Sequence, residues 1–107
     1  MTERVDLVFA ALADPTRRHV VEQLARRGTL TASALAQELP MTRQAVAKHL
    51  GALDAAGLVA GERSGREVRY HLTPDALADA AGWMAEVGSA WDERLARLHA
   101  LLADRRG

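Results

Sequence analysis

Arg43, Gln44 and Lys48 stand close together in mid-chain, and Arg63, Arg66 and Arg69 follow in a short alternating stretch. An Arg can grip guanine by its O6 and N7, a Gln can grip adenine by N6 and N7, and any of these cations can meet a phosphate. The grouping therefore points to a polyanion with readable edges. It does not point to a reaction. No Ser, Lys or Asp sits in a nucleophile–base arrangement and no Gly-rich phosphate loop is present, so no enzyme is expected. The plainer reading is a solvated helix face followed by a charged edge strand, which would also leave these residues exposed.

The spacing of apolar residues says what must hold the cations in place. Val46, Leu50 and Leu53 recur at helical period and predict a helix over 43–56, with Arg43, Gln44, Ala47, Lys48 and Gly51 on its other faces. Thr42 is placed to cap that helix and also to touch phosphate, and Gly57 to end it. A short helix over 32–39, capped by Thr31 and closed by Pro40, precedes it across a three-residue connection, which is helix-turn-helix spacing. His49 lies next to core Leu50 and is expected to pack or to face phosphate. Residues 58–63 and 66–72 read as strands, since Val68, Tyr70 and Leu72 alternate with Glu67, Arg69 and His71. Ser64-Gly65 is the expected turn, and the three arginines are expected to cluster at its tip. Upstream, helices are expected over 4–13 and 15–27, the second opened by Asp14-Pro15 and ended by Gly28, with Leu30 as a very short strand.

Composition narrows the partners. Formal net charge is zero, so any attraction for nucleic acid must be local, and the segment 41–71 is indeed net basic. Aromatic residues are only 4% of the 107, so the core must be built mainly from Ala, Leu and Val, which favours close helix packing. The chain has no cysteine, which excludes disulfides and thiolate sites and suits a cytoplasmic setting. Residues 1–8 carry acids among the apolar positions and do not read as a signal peptide, and no apolar run is long enough to span a bilayer. One domain over 1–107 is expected.

A final helix is predicted over 74–103. Leu77, Ala81, Met84, Gly88, Trp91, Leu95, Leu98 and Leu102 step along it by alternating fours and threes, a heptad stripe. Such a helix is longer than a small core requires. Part of the stripe is therefore expected to pack on a second copy, with Met84, Gly88, Trp91, Leu95, Leu98 and Leu102 at the contact and Phe9 of the first helix assisting. Gly88 would then permit close backbone approach or mark a bend. His19, His71 and His99 are scattered and predict no metal site, and no cofactor is expected.

Taken in order, Ala13-Asp14-Pro15-Thr16-Arg17-Arg18, then Ala45-Val46-Ala47-Lys48-His49-Leu50, then Ala56-Gly57-Leu58-Val59, with Gly65-Arg66 and the late Trp83 and Trp91, make the chain resemble the ArsR/SmtB family of winged-helix repressors. The resemblance implies a mainly α fold of about five helices with a β-hairpin wing, dimerising through its terminal helices. It also implies a homodimer that binds an operator in double-stranded DNA and represses transcription, often of its own promoter. Two departures stand out. Thiolate-sensing members carry a Cys-Val-Cys box where this chain has Ala34-Leu35-Ala36-Gln37-Glu38-Leu39. Zinc-binding members place Asp, His and Glu along the last helix at a spacing that Asp75, Asp79, Glu86, Asp92 and His99 do not reproduce. The resemblance therefore assigns no inducer. A metal- or ligand-responsive sensor of the same fold, and a winged helix that docks protein, stand as the alternatives.

Overall fold

The computed structural model describes residues 3–106, with side chains through Asp104. The order of elements is α1 (Glu3–Leu12), α2 (Pro15–Arg27), β1 (Thr29–Thr31), α3 (Ala32–Glu38), α4 (Arg43–Ala55), β2 (Val59–Ser64), β3 (Glu67–Leu72) and α5 (Pro74–Arg106). The three strands form an antiparallel sheet in the order β1-β3-β2. Every element expected from the sequence is present.

Local chemistry accounts for the boundaries. Asp14 accepts from the amides of Thr16 at 2.7 Å and Arg17 at 3.3 Å, which satisfies the free start of α2. Desolvation at this half-buried position favours protonation of the carboxyl. The two amide bonds, the Arg17 guanidinium and His49 together outweigh it and hold the carboxyl below its ordinary range. Arg17 and Arg18 turn back over the end of α1. Arg17 Nε donates to the Ala11 carbonyl at 2.6 Å and Arg18 to that of Leu12 at 2.6 Å. Both guanidiniums thus sit at the negative end of the α1 dipole.

Thr31 and Thr42 cap α3 and α4, each accepting an amide hydrogen bond of 3.1 Å from the third residue beyond. At the end of α4, Gly57 takes φ +75°. Its amide reaches Asp54 O and that of Leu58 reaches Leu53 O, both at 2.9 Å, a Schellman closure that a residue with a Cβ enters only at a cost. Thr73 then donates its hydroxyl to the Gly57 carbonyl, fastening the start of α5 to the end of α4.

The core gathers Val8, Val20, Leu24, Leu30, Leu35, Val46, Leu50, Leu53, Leu58 and Val59, all nearly or wholly buried. Almost none of it is aromatic, as composition requires. Phe9 and Trp83 are half-buried and pack edge to face at 5.4 Å, joining α1 to α5, and Arg4 pairs with Asp79 at 3.3 Å across the same contact. Phe9, expected at a contact between copies, therefore already has a ring partner in its own chain.

Two expectations need correcting. The wing turn is Gly65-Arg66, with Ser64 paired to Glu67 as the last rung of the ladder. Gly65 has φ +63° and Arg66 a negative φ, so the glycine takes the first central position and the turn lies one residue later than Ser64-Gly65. The terminal helix also continues to Arg106 instead of stopping near 103, because nothing after Leu102 in that span breaks a helix.

Candidate nucleic-acid interface

The second helix of the helix-turn-helix, α4, divides cleanly by face. Val46, Leu50 and Leu53 are wholly buried, while Thr42, Arg43, Gln44, Ala47, Lys48 and Gly51 are exposed on the other side. Ala47 and Gly51 are small, which leaves the longer Arg43, Gln44 and Lys48 standing clear of the helix backbone. A cationic ridge with a low floor fits the width of a major groove. His49 differs from its neighbours. It is half-buried, less open than Thr42, Arg43, Gln44 and Lys48.

The wing adds a second set of cations. Arg66 at its turn and Arg43 of α4 line one cleft of about 260 Å³, together with Thr31, Ala32, Ser33, Ala47, Val68, Tyr70 and one acid, Glu67. Sequence reasoning missed Ser33, Val68 and Tyr70 as parts of this surface. The alternation of β3 had marked Val68 and Tyr70 only as apolar. Their place in the cleft follows from the pairing of β3 between β1 and β2, which sequence spacing does not contain. A further unanticipated feature is Gly61. A Cβ there would lie 2.9 Å from Val68 Cγ1 and 3.0 Å from the Tyr70 ring, so the absence of a side chain lets both residues lie over β2.

The three wing arginines do not share one surface. Directly opposed residues of a ladder point to the same face, and Arg63 is opposed to Val68, whereas Arg69 is opposed to Glu62. Arg63 thus lies on the side of Val68 and Tyr70. Arg69 lies on the reverse side, with its guanidinium 3.3 Å from Glu67 Oε2. The expected cluster at the tip is divided by the pleat.

Across the molecule the basic side chains fall into two groups. Arg4, Arg17, Arg18, Arg27 and Arg69 are engaged, by Asp79, the α1 carbonyls and Asp14, Glu38 and Glu67. Arg43, Lys48, Arg63 and Arg66, all on α4 or the wing, have no acidic partner among the described residues, and neither do Arg26 of α2 and Arg94 and Arg97 of α5. Four of these seven uncompensated cations thus lie together on α4 and the wing. Among the described residues, no three His, Asp or Glu side chains converge as a metal-ligand set, and no helix is long and apolar enough to cross a membrane.

The expected contact with a second copy also has a visible surface. Met84, Trp91, Leu95, Leu98 and Leu102 are all exposed on α5, Trp91 by 58%. Val87 and Leu101 adjoin them, which makes the band wider than the heptad stripe alone. A Cβ on Gly88 would meet nothing within 4 Å, so its backbone is open to approach.

Comparison with known proteins agrees with this geometry. A helix-turn-helix domain model matches residues 12–62. The transcriptional repressor SdpR of Bacillus subtilis is 32% identical over 77 residues, spanning 72% of this chain and 84% of that protein. Among solved structures, an ArsR-like transcriptional regulator from Rhodococcus sp. RHA1 is 44% identical and superposes with a TM-score of 0.77, covering 89% of each chain. A homodimeric winged helix-turn-helix DNA-binding domain, Mb0332 from Mycobacterium bovis, described as a possible ArsR-family regulator, is 31% identical with a TM-score of 0.64, covering 87% of this chain and 82% of that one. The chain belongs to the ArsR family of winged helix-turn-helix transcriptional regulators, a class of DNA-binding regulators and not of enzymes.

Proposed function

We propose that this protein is a cytoplasmic transcriptional repressor that acts as a homodimer on a pseudo-palindromic operator, its own promoter among the targets, with residues 1–107 as one DNA-binding and dimerising domain. The observation that carries the reading is the gathering of the unpaired cations Arg43, Lys48, Arg63 and Arg66 on α4 and the wing, where Arg43 and Arg66 line one cleft. In this reading α4 enters the major groove. Arg43, Gln44 and Lys48 meet base edges and phosphates, and Thr42 fixes the register at the backbone. Arg63 and Arg66 reach the backbone beside it.

The homodimer rests on the exposed apolar band of α5, which is unusual on an isolated chain. The homodimeric state of the Mycobacterium bovis relative supports it. Two copies joined there would present their α4 helices to successive major grooves, about 34 Å apart. A nuclease footprint on the DNA upstream of the coding sequence should show two protected half-sites separated by one helical turn. A single protected half-site would contradict the dimeric mode, and no protection on any genomic fragment would contradict the repressor reading.

A further inference from the structure

We infer that the wing meets DNA by its Arg63 face and its tip, and that Glu67 and Glu62 leave the other face without net positive charge, with Glu67 holding Arg69 back from phosphate. The inference rests on the DNA-binding reading above and assigns the wing residues within it.

The ladder register supplies the geometry. Val59, Gly61 and Arg63 of β2 share a side with Leu72, Tyr70 and Val68 of β3, and Leu30 of β1 joins them opposite Tyr70. This side faces the core at its base, where Leu30 and Val59 are buried, and toward the tip its Val68 and Tyr70 line the cleft with Arg43 and Ala47, which Thr31 and Glu67 border from the other side of the sheet. The reverse side carries Ala60, Glu62 and Ser64 beside His71, Arg69 and Glu67. Its one arginine is paired internally, Arg69 lying 3.3 Å from Glu67, and His71 Nε2 lies 3.4 Å from Glu62. The inner side and tip, by contrast, carry Arg63 and Arg66 with no acid partner among the described residues.

A ribbon only one residue thick cannot lay both sides on the same phosphate track. The side that shares a cleft with Arg43 is the one continuous with the α4 surface. On the reverse side a phosphate would meet two carboxylates, and Arg69 would have to leave Glu67 to reach it. The acids therefore limit sequence-independent binding, because they keep one available cation from releasing counterions. Glu67 is a specificity residue in this sense. It reduces attraction for any duplex while leaving the α4 contacts untouched.

The test is a salt series of fluorescence anisotropy on two duplexes, the upstream fragment and an unrelated fragment of equal length. The proteins are wild type, Arg63→Ala, Arg66→Ala, Arg69→Ala, Glu67→Gln and the double variant Glu67→Gln/Arg69→Ala, with thermal midpoints confirming that each is folded. A variant that neutralises one phosphate fewer should show a slope of log affinity against log salt shallower by about 0.9. Arg63→Ala and Arg66→Ala should each show that reduction. Arg69→Ala should leave the slope unchanged and the affinity within about twofold. Glu67→Gln should steepen the slope on the unrelated fragment by about 0.9 as Arg69 is freed, and the double variant should cancel that increase. An Arg69→Ala slope as shallow as that of Arg63→Ala would overturn the inference alone, and so would a Glu67→Gln steepening that survives removal of Arg69. Wild type that bound neither fragment would overturn it together with the DNA-binding reading.

Discussion

Helices α4 and α5 each carry an apolar stripe at helical period, yet the structure treats the two stripes in opposite ways. In α4 the stripe of Val46, Leu50 and Leu53 is consumed by the core, and what is left outside is small, polar and cationic. In the distal part of α5 the stripe of Met84, Trp91, Leu95, Leu98 and Leu102 is itself what is left outside. A helix face that self-packing leaves over shows the chemistry of what it awaits. The leftover face of α4 calls for a polyanion, and that of α5 for another apolar surface. Length enforces the difference. The molecule extends 71 Å along its longest axis against 27 and 20 Å across, and α5 runs well past the elements that cover its first turns.

Substitutions can break this contrast, and the largest expected effect is on the inner face of α4. Leu50→Ala should destabilise the fold by about 2–5 kcal/mol, the range for emptying a fully buried leucine position. Chemical denaturation measures it. A destabilisation below about 1 kcal/mol would mean that the α4 stripe is not packed as described. On α5, Trp91→Glu should leave the thermal midpoint of the separated chain nearly unchanged, because the side chain is mostly exposed. It should raise the dissociation constant of self-association about thirtyfold or more, the effect of losing a central aromatic anchor. A Trp91→Glu protein that sediments as wild type does would disprove the apolar-contact account of this face.

Smaller effects sharpen the account. Thr42→Ala removes the hydroxyl that receives the Ala45 amide and should cost about 1 kcal/mol of stability. If Thr42 also touches phosphate, affinity should fall beyond what the stability change explains, and a Ser at the position should restore both. The smallest effect is a pH dependence. The Asp14 carboxyl titrates lower in the fold than in the unfolded chain, so its charge stabilises the native state above the ordinary carboxylate range. That contribution should disappear as pH falls through the lowered value, below about pH 4. Asp14→Asn keeps an acceptor for the cap and loses the charge. Its stability deficit relative to wild type should therefore be present at neutral pH and close on acidification.

Much of this was legible in the sequence because it depends on neighbours in the chain. Caps at Asp14, Thr31 and Thr42, the stop at Gly57, and the stripes of α4 and α5 all follow from local spacing, and the structure places each where expected. What escaped depends on pairing between distant segments. The alternation of Val68, Tyr70 and Leu72 predicted a strand, but the register with β2 decides that Arg63 and Arg69 face opposite ways. The role of Gly61 as room for Val68 and Tyr70 likewise needs both strands in view. In the sequence Arg17 and Arg18 are only part of the motif that opens α2, and only the fold of α2 back along α1 shows which carbonyls they close. The one-residue error in the wing turn has the same origin, since either Ser64-Gly65 or Gly65-Arg66 is a chemically acceptable turn until the ladder is counted.

The central claim is that the leftover face of α4 binds DNA, and one measurement addresses it most directly. Purified wild type and the Arg43→Ala/Lys48→Ala variant are titrated onto labelled upstream DNA by fluorescence anisotropy across a salt series. The account predicts tight wild-type binding that weakens steeply with salt. The variant should keep its thermal midpoint, because both side chains are exposed and unpaired. Its affinity should fall about 10- to 1000-fold, with a slope shallower by about one for each phosphate it no longer neutralises. Equal binding by wild type and variant, with both proteins folded, would contradict the claim.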